Sequence, residues 1–405
     1  MRILTVGNMY PPHYFGGYEL VWQAAVDHLR ERGHEVRVLT TDTRTGADGA
    51  DPPDVHRELH WRLRDAEFQP LGPRGRVAMA RHNHRVLARH LVDLRPDVVS
   101  WWSMGGLPLT LLESVRRQAV PAVAFVADEW LDYGRWADGW TSVFTGRRAR
   151  LAPLAERLCG IPATVDLGRA ATYLFVSEHT RRHALGLGLD LERTGVAHLG
   201  VDAAFYDPAP EVGWRWRLLY VGRIDVRKGA DTAIEALGRL PPEARLEVVG
   251  GWDRREEERL RGLAARLGLA DRVRFAGHRE HHELGEVYAA ADAVVFPVNW
   301  DEPWGLVPLE AMAKGRPVVA TGRGGSGEYL RDGENCLLFA AGDAGALAGA
   351  LRRLAGDAHL RGRLREGGLV TAPRHTEAGF NQAVEEAVLA AADRTPARAT
   401  PVPAA

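Results

Sequence analysis

A chain of 405 residues is too long for one ordinary hydrophobic core, so two domains of roughly 200 residues each are expected. Lysine plus arginine number 52 against 53 for aspartate plus glutamate, which leaves no global field to recruit nucleic acid or an acidic membrane; such a partner would need a local patch. Only Cys159 and Cys336 occur, in unrelated contexts, which argues against a disulfide framework and against a thiolate metal centre, and fits a reducing compartment.

The chain opens on an apolar strand pattern at 3–6 without the features of a signal peptide, and no apolar run reaches the ~18 residues of a membrane span, so a cytoplasmic location is expected. A loop ending Phe15-Gly16-Gly17 leads into a helix over 18–32 and a strand at 35–39. Between Arg74 and His90 stand five arginines and three histidines with no acid, while Val77, Ala80, Leu87, Leu91 and Leu94 trace a helical stripe. This basic amphipathic helix, 74–95, is a candidate for weak membrane contact, against the competing reading of a helix packed on its own sheet. Strands follow at 97–101, 122–126 and 173–176. Prolines 208 and 210 interrupt the pattern and mark a linker at 207–211.

The second half restarts with strands at 217–221, 245–249, 273–275, 293–296 and 317–320, separated by helical segments. The expected fold class is α/β: two Rossmann-like doubly wound domains facing each other across a cleft, where ligands meet the carboxyl ends of the strands. The expected boundaries are 1–206 for the N-terminal domain, 207–375 for the C-terminal domain, 376–394 for a last helix and 395–405 for a Pro/Ala/Thr-rich disordered tail.

Three loops carry chemistry. In Asp301-Glu302-Pro-Trp-Gly305-Leu306-Val307-Pro-Leu-Glu310, Gly305 and its neighbours offer backbone N–H groups at a helix N-terminus, a ready phosphate site. Glu310 suits a ribose diol and Glu302 sugar hydroxyls, although a dipole partner and a solvated helix residue are the plain alternatives. In Gly222-Arg223-Ile-Asp-Val-Arg-Lys228-Gly229, Arg223 and Lys228 can clamp a diphosphate and stabilise it as a leaving group, or form an ordinary basic loop. In the first half, Gly16 and Gly17 allow close backbone approach to a ligand, or simply make a turn. The run Gly322-Arg-Gly324-Gly-Ser-Gly327 fits G-x-G-x-x-G, but it follows the domain's last long strand, where a dinucleotide fingerprint does not belong.

Taken together these segments resemble the retaining glycosyltransferases of family 4, and the likeness covers most of the chain. Shorter matches agree with it, among them Phe175-Val-Ser-Glu178, Leu199-Gly-Val-Asp202 and Gly325-Ser-Gly-Glu328. The resemblance implies a GT-B fold and retaining transfer of a sugar from a nucleoside-diphosphate sugar to a hydroxyl on a small-molecule or glycan acceptor. It implies Arg223 and Lys228 at the donor diphosphate, Glu310 at the ribose, Glu302 at the sugar, and backbone from Arg274 to Arg279 around the base. The donor is a co-substrate, so no further cofactor is expected, and no nucleic acid. No metal is expected either, since no Asp-x-Asp stands at a strand end. A nucleotide-sugar epimerase or a non-catalytic donor-binding protein of the same fold is the alternative.

One departure concerns catalysis. Many relatives carry a histidine after the strand at 122–126, where this chain reads Ala127-Asp128, so Asp128 is a candidate acceptor base or else a helix cap. Tryptophans crowd the same region, and Trp101, Trp102 and Trp130 are candidates for an acceptor-stacking platform, with core packing as the competing reading.

Overall fold

The structure is a computed structural model that describes residues 1–45, 50–64, 67–211, 213–251 and 253–394. The tail expected at 395–405 lies outside the described residues. The chain divides into two compact units, Met1–Ala197 with the chain from Asn381 onward, and His198–Phe380.

In the first unit the strands are β1 (Arg2–Val6), β2 (Glu35–Thr41), β3 (Val55–Leu59), a short antiparallel hairpin of β4 (Leu63–Arg64) and β5 (Glu67–Phe68), then β6 (Val98–Trp101), β7 (Ala122–Val126), β8 (Thr172–Phe175) and β9 (Thr194–Val196). All but the hairpin form one parallel sheet of order β3-β2-β1-β6-β7-β8-β9. In the second unit β10 (Arg217–Val221), β11 (Arg245–Val249), β12 (Val273–Gly277), β13 (Ala293–Phe296), β14 (Val318–Ala320) and β15 (Leu337–Leu338) form a parallel sheet of order β12-β11-β10-β13-β14-β15. The central strands are covered on both faces and are therefore apolar throughout: β7 and β13 are buried at every residue. In each sheet the winding reverses beside the first strand, between β1 and β6 and again between β10 and β13, which opens a crevice at the carboxyl ends of that pair.

The amino ends of both pairs are tied by the same device. Asp97, just before β6, accepts hydrogen bonds from the Arg2 backbone at 2.8 Å and from its guanidinium at 3.3 Å. Asp292, just before β13, accepts from Arg215 N at 2.7 Å, Arg217 N at 2.8 Å and the Arg217 guanidinium at 2.8 Å. Each carboxylate satisfies main-chain donors that the strand ladder leaves open.

Two expectations are corrected. The boundary falls at 197/198 and not at the prolines, because the chain from His198 packs within the second unit. There Leu199 O accepts from Trp304 Nε1 at 2.9 Å, Ala204 O accepts from Lys314 Nζ at 3.3 Å, and Ala209 O accepts from Arg365 at 2.8 Å, so 207–211 is docked and is not a free linker. The helix Pro73–Leu94 turns its stripe inward, with Met79, Ala80, Val86, Leu87, Leu91 and Leu94 all buried, and so keeps no apolar face for a membrane.

Replacing Asp292 by alanine strands two backbone donors and a guanidinium at a buried edge. Asp292→Ala is expected to cost ~1–3 kcal/mol in denaturant unfolding, with Asp292→Asn recovering part of the loss.

Candidate active site

The loops that follow β10 and β13 meet at the carboxyl end of the second sheet. Gly229 has φ +71, and a Cβ there would stand 2.0 Å from Pro297 O, so only glycine lets the first loop lie against the chain leaving β13. Arg227 O accepts from Asn299 N at 2.7 Å and fixes the register of the two loops. The result is a contact between residues 74 apart: Lys228 Nζ donates to Glu302 Oε2 at 2.6 Å, with side-chain exposures of only 15% and 11%. Trp300 Nε1 donates to the same oxygen at 2.9 Å, and its ring lies under the Arg227 guanidinium, 4.6 Å from the ring centroid.

The third member of the crevice is the helix Leu306–Ala313. Gly305 precedes it with φ +86, and the N–H groups of Leu306 and Val307 occupy its first turn, where no intrahelical acceptor exists. The Tyr329 hydroxyl donates to Gly305 O and braces the turn. The glycine run Gly322–Gly327 supports Glu302 from behind, since a Cβ at Gly324 would stand 2.4 Å from Glu302 O and 2.5 Å from Glu302 N. Gly325 N donates to Glu302 O at 2.7 Å, so these glycines serve close packing on the Glu302 loop and form no dinucleotide turn.

Glu310, about one turn into the helix, is buried, and Tyr288 Oη donates to its Oε2 at 2.6 Å. Burial pushes the Glu310 carboxyl above the usual carboxylate range, and the Tyr288 hydrogen bond offsets only part of that rise. Arg223, at the head of the loop after β10, lies 3.8 Å from Asp225, while its carbonyl accepts from Tyr220 Oη at 2.9 Å. Asp225 is held below its usual pKa: burial alone would raise it, but hydrogen bonds and charge from Arg227 outweigh that. Arg279 lies after the edge strand β12, with its guanidinium 3.8 Å from Glu283. Arg223, Lys228, Glu302, Gly305, Leu306, Val307 and Glu310 therefore share the switch-point loops and the helix behind them, whereas Arg279 stands two strands out.

In the first unit Gly16 caps the helix Gly17–Glu31, and its N–H already donates to Glu19 Oε2 at 3.1 Å. A Cβ at Gly17 would meet nothing within 4 Å, so packing within the protein gives no reason for glycine there. Asp128 has both oxygens engaged, Oδ1 by Trp130 N at 3.2 Å and Oδ2 by Tyr133 Oη at 2.7 Å, which makes it the anchor of the helix Trp130–Ala137. The acceptor platform is corrected: Trp101, Trp102 and Trp130 are buried in the unit's interior, and Trp102 stacks on Trp22 at 5.8 Å. Side chains already packed on both faces present no surface to a sugar.

Sequence reading had missed Trp300, Tyr288 and Tyr133. Trp300 sits two residues before Glu302 and was open to notice, but no spacing rule links Tyr288 to a glutamate 22 residues on. Among the described residues one group of metal-ligand type, His56, Glu58 and His90, lies in the first unit with its ligand atoms within 4.8 Å of one another. Arg89 pairs with Glu58 there and Arg37 lies 3.4 Å from His90 Nδ1, so the surroundings are cationic and unfavourable to a metal ion.

Comparison with known proteins agrees with this geometry. The model of "Glycosyl transferases group 1" matches residues 210–369, and that of "Glycosyltransferase Family 4" matches residues 15–205. Glycogen synthase of Mycobacterium tuberculosis is 37% identical over 381 residues, covering 88% of this chain and 86% of that protein. The chain belongs to the group 1 glycosyltransferases. A D-inositol 3-phosphate glycosyltransferase of Stackebrandtia nassauensis is 38% identical over 206 residues, 46% of each chain, so the match spans about half the length of that relative. Among solved structures, Anabaena HepE in complex with UDP and glucose superposes with TM-score 0.69 at 22% identity, over 95% of this chain and 98% of that one. Sucrose-phosphate synthase from Thermosynechococcus elongatus gives TM-score 0.73 at 20% identity, over 95% and 97%. The fold of this group 1 glycosyltransferase is thus GT-B.

The buried Glu310 carries a stability cost that appears as pH rises from the unfolded carboxylate pKa toward its raised folded value. Glu310→Gln is expected to raise the melting temperature of the free protein near neutral pH, the gain disappearing below about pH 4. Equal melting temperatures at neutral pH would contradict this reading of Glu310.

Proposed function

We propose that this protein is a retaining, metal-independent glycosyltransferase that moves a sugar from a nucleoside-diphosphate sugar to a hydroxyl acceptor, a small molecule or a glycan. The observation that supports the reading is the buried Lys228–Glu302 pair beside a helix N-terminus at the switch point of the second sheet. A diphosphate there takes the Lys228 ammonium and the Arg223 guanidinium, while the N–H groups of Leu306 and Val307 face its oxygens. Glu302, released from Lys228, accepts sugar hydroxyls, and Glu310 accepts from the ribose. Arg279 lies toward the base. In the first unit, the space beside the Gly17 Cα is open, which suits close approach of a ligand to the Gly16-Gly17 backbone. The bond from the anomeric carbon to the diphosphate oxygen breaks, the cations hold the departing charge, and the acceptor oxygen bonds to the anomeric carbon from the same face as its proton passes to the departing phosphate oxygen. Asp128, polarised by Tyr133, takes part in holding the acceptor hydroxyl. The setting is cytoplasmic.

Incubation with a panel of nucleoside-diphosphate sugars and acceptors tests the proposal by released nucleotide and by the anomeric configuration of the product. Transfer is expected to persist in excess chelator. Lys228→Ala is expected to lose ~2–4 kcal/mol of transition-state stabilisation with an unchanged fold, as when an oxyanion donor is removed; near-normal turnover would sink the clamp. Asp128→Asn still caps a helix, so a fall in transfer of ~10²-fold at constant melting temperature assigns it an acceptor role. An unimpaired rate would leave it an anchor of the helix alone.

A further inference from the structure

The excursion between β7 and β8 contains a helical segment whose amphipathicity is inverted. A 3-10 turn over Gly146–Leu151 runs into the helix Ala152–Cys159. The residues facing the protein are small: Ala152 is buried, and Ala155 and Cys159 pack beside it in a cluster with Val77, Ala80, Trp140, Ile161 and Ala163. The large apolar residues face outward at the same helical spacing, Leu151 at 55%, Leu154 at 57% and Leu158 at 70% exposure. A helix that only needed to pack on its own domain would place these residues the other way round.

Arginines 147, 148, 150 and 157 are exposed on the same segment, and among the described residues none of their side chains meets an ionic or hydrogen-bonding partner. Its one acid, Glu156, is already paired with Arg117. The segment is also anchored: Arg81 donates to Cys159 O at 3.0 Å and to Leu158 O at 3.1 Å, which closes the helix's carboxyl end. The leucines are therefore held outward by a fixed scaffold. No described helix is long and apolar enough to cross a membrane.

We propose that residues 146–159 dock this protein on an anionic lipid surface, with Leu151, Leu154 and Leu158 entering the acyl boundary and the four arginines meeting headgroup phosphates. Unpaired cations flanking an apolar stripe complement a phospholipid surface, where apolar insertion and charge act together. This relocates the contact suggested for the 74–95 helix, whose own apolar stripe is spent on the core.

Sedimentation with lipid vesicles tests it. The full chain is expected to bind vesicles of phosphatidylcholine with phosphatidylglycerol, to bind phosphatidylcholine alone far less, and to be released by high salt. Replacing Arg147, Arg148 and Arg150 together by alanine should weaken partition on the order of 100-fold. Replacing Leu151, Leu154 and Leu158 together by serine should abolish binding with little change in the melting temperature, since these side chains are mostly exposed in the free protein. Equal binding to neutral vesicles, or unaltered binding by the serine variant, would overturn the proposal. So would an absence of vesicle binding with a concentration-dependent dimer that the serine variant loses, because the stripe would then be an interface between copies.

Discussion

An ammonium and a carboxylate 2.6 Å apart, both largely withdrawn from water, hold the second unit's crevice together. Neither residue is near the other in the chain, and neither charge tolerates burial alone. Their meeting requires β10 and β13 to be neighbours, Gly229 to lie flat on Pro297, and Gly324 to admit the Glu302 backbone. Trp300 adds a donor to Glu302 and a ring face to Arg227, so the pair sits in a frame that limits its alternatives. A charge pair of this kind is poised rather than inert. An anion that satisfied Lys228 would leave Glu302 ready for hydroxyl donors, so that one bond would link the two events.

The two sheets repeat a plan and diverge in what they place on it. Each ties the amino ends of its switch-point strands with an aspartate that receives an arginine's main chain and side chain, Asp97 with Arg2 and Asp292 with Arg217. At the carboxyl ends the second unit gathers Lys228, Arg223 and an open helix turn. The first spends its glycine-led helix start on Glu19 and its nearby volume on tryptophans. The cationic end therefore belongs to the second unit.

Strands buried on both faces, such as 122–126 and 293–296, were legible because nothing but a continuous apolar run suits that place. The edge strand Val55–Leu59 was not, since Val-His-Arg-Glu-Leu has one wet side and no apolar run. The loops at 222–229 and 301–310 were legible as strand-end loops from their glycines and charges. The tryptophans were misleading because composition reports volume and not exposure, and Trp101, Trp102 and Trp130 fill the core. The same limit hid residues 151–158, where small and large stripes share one spacing and only packing decides which faces in. Tyr288 stayed invisible because its partner Glu310 comes from another element.

Calorimetric titration of a bare nucleoside diphosphate into the wild type, Lys228→Ala and Glu302→Gln tests the central claim most directly. If Lys228 leaves Glu302 to hold the diphosphate, Lys228→Ala weakens binding, while Glu302→Gln removes the competing carboxylate and leaves binding as tight as the wild type or tighter. Equal weakening in both variants would mean that the pair acts as a fixed structural bridge, and the account of the donor site would be wrong.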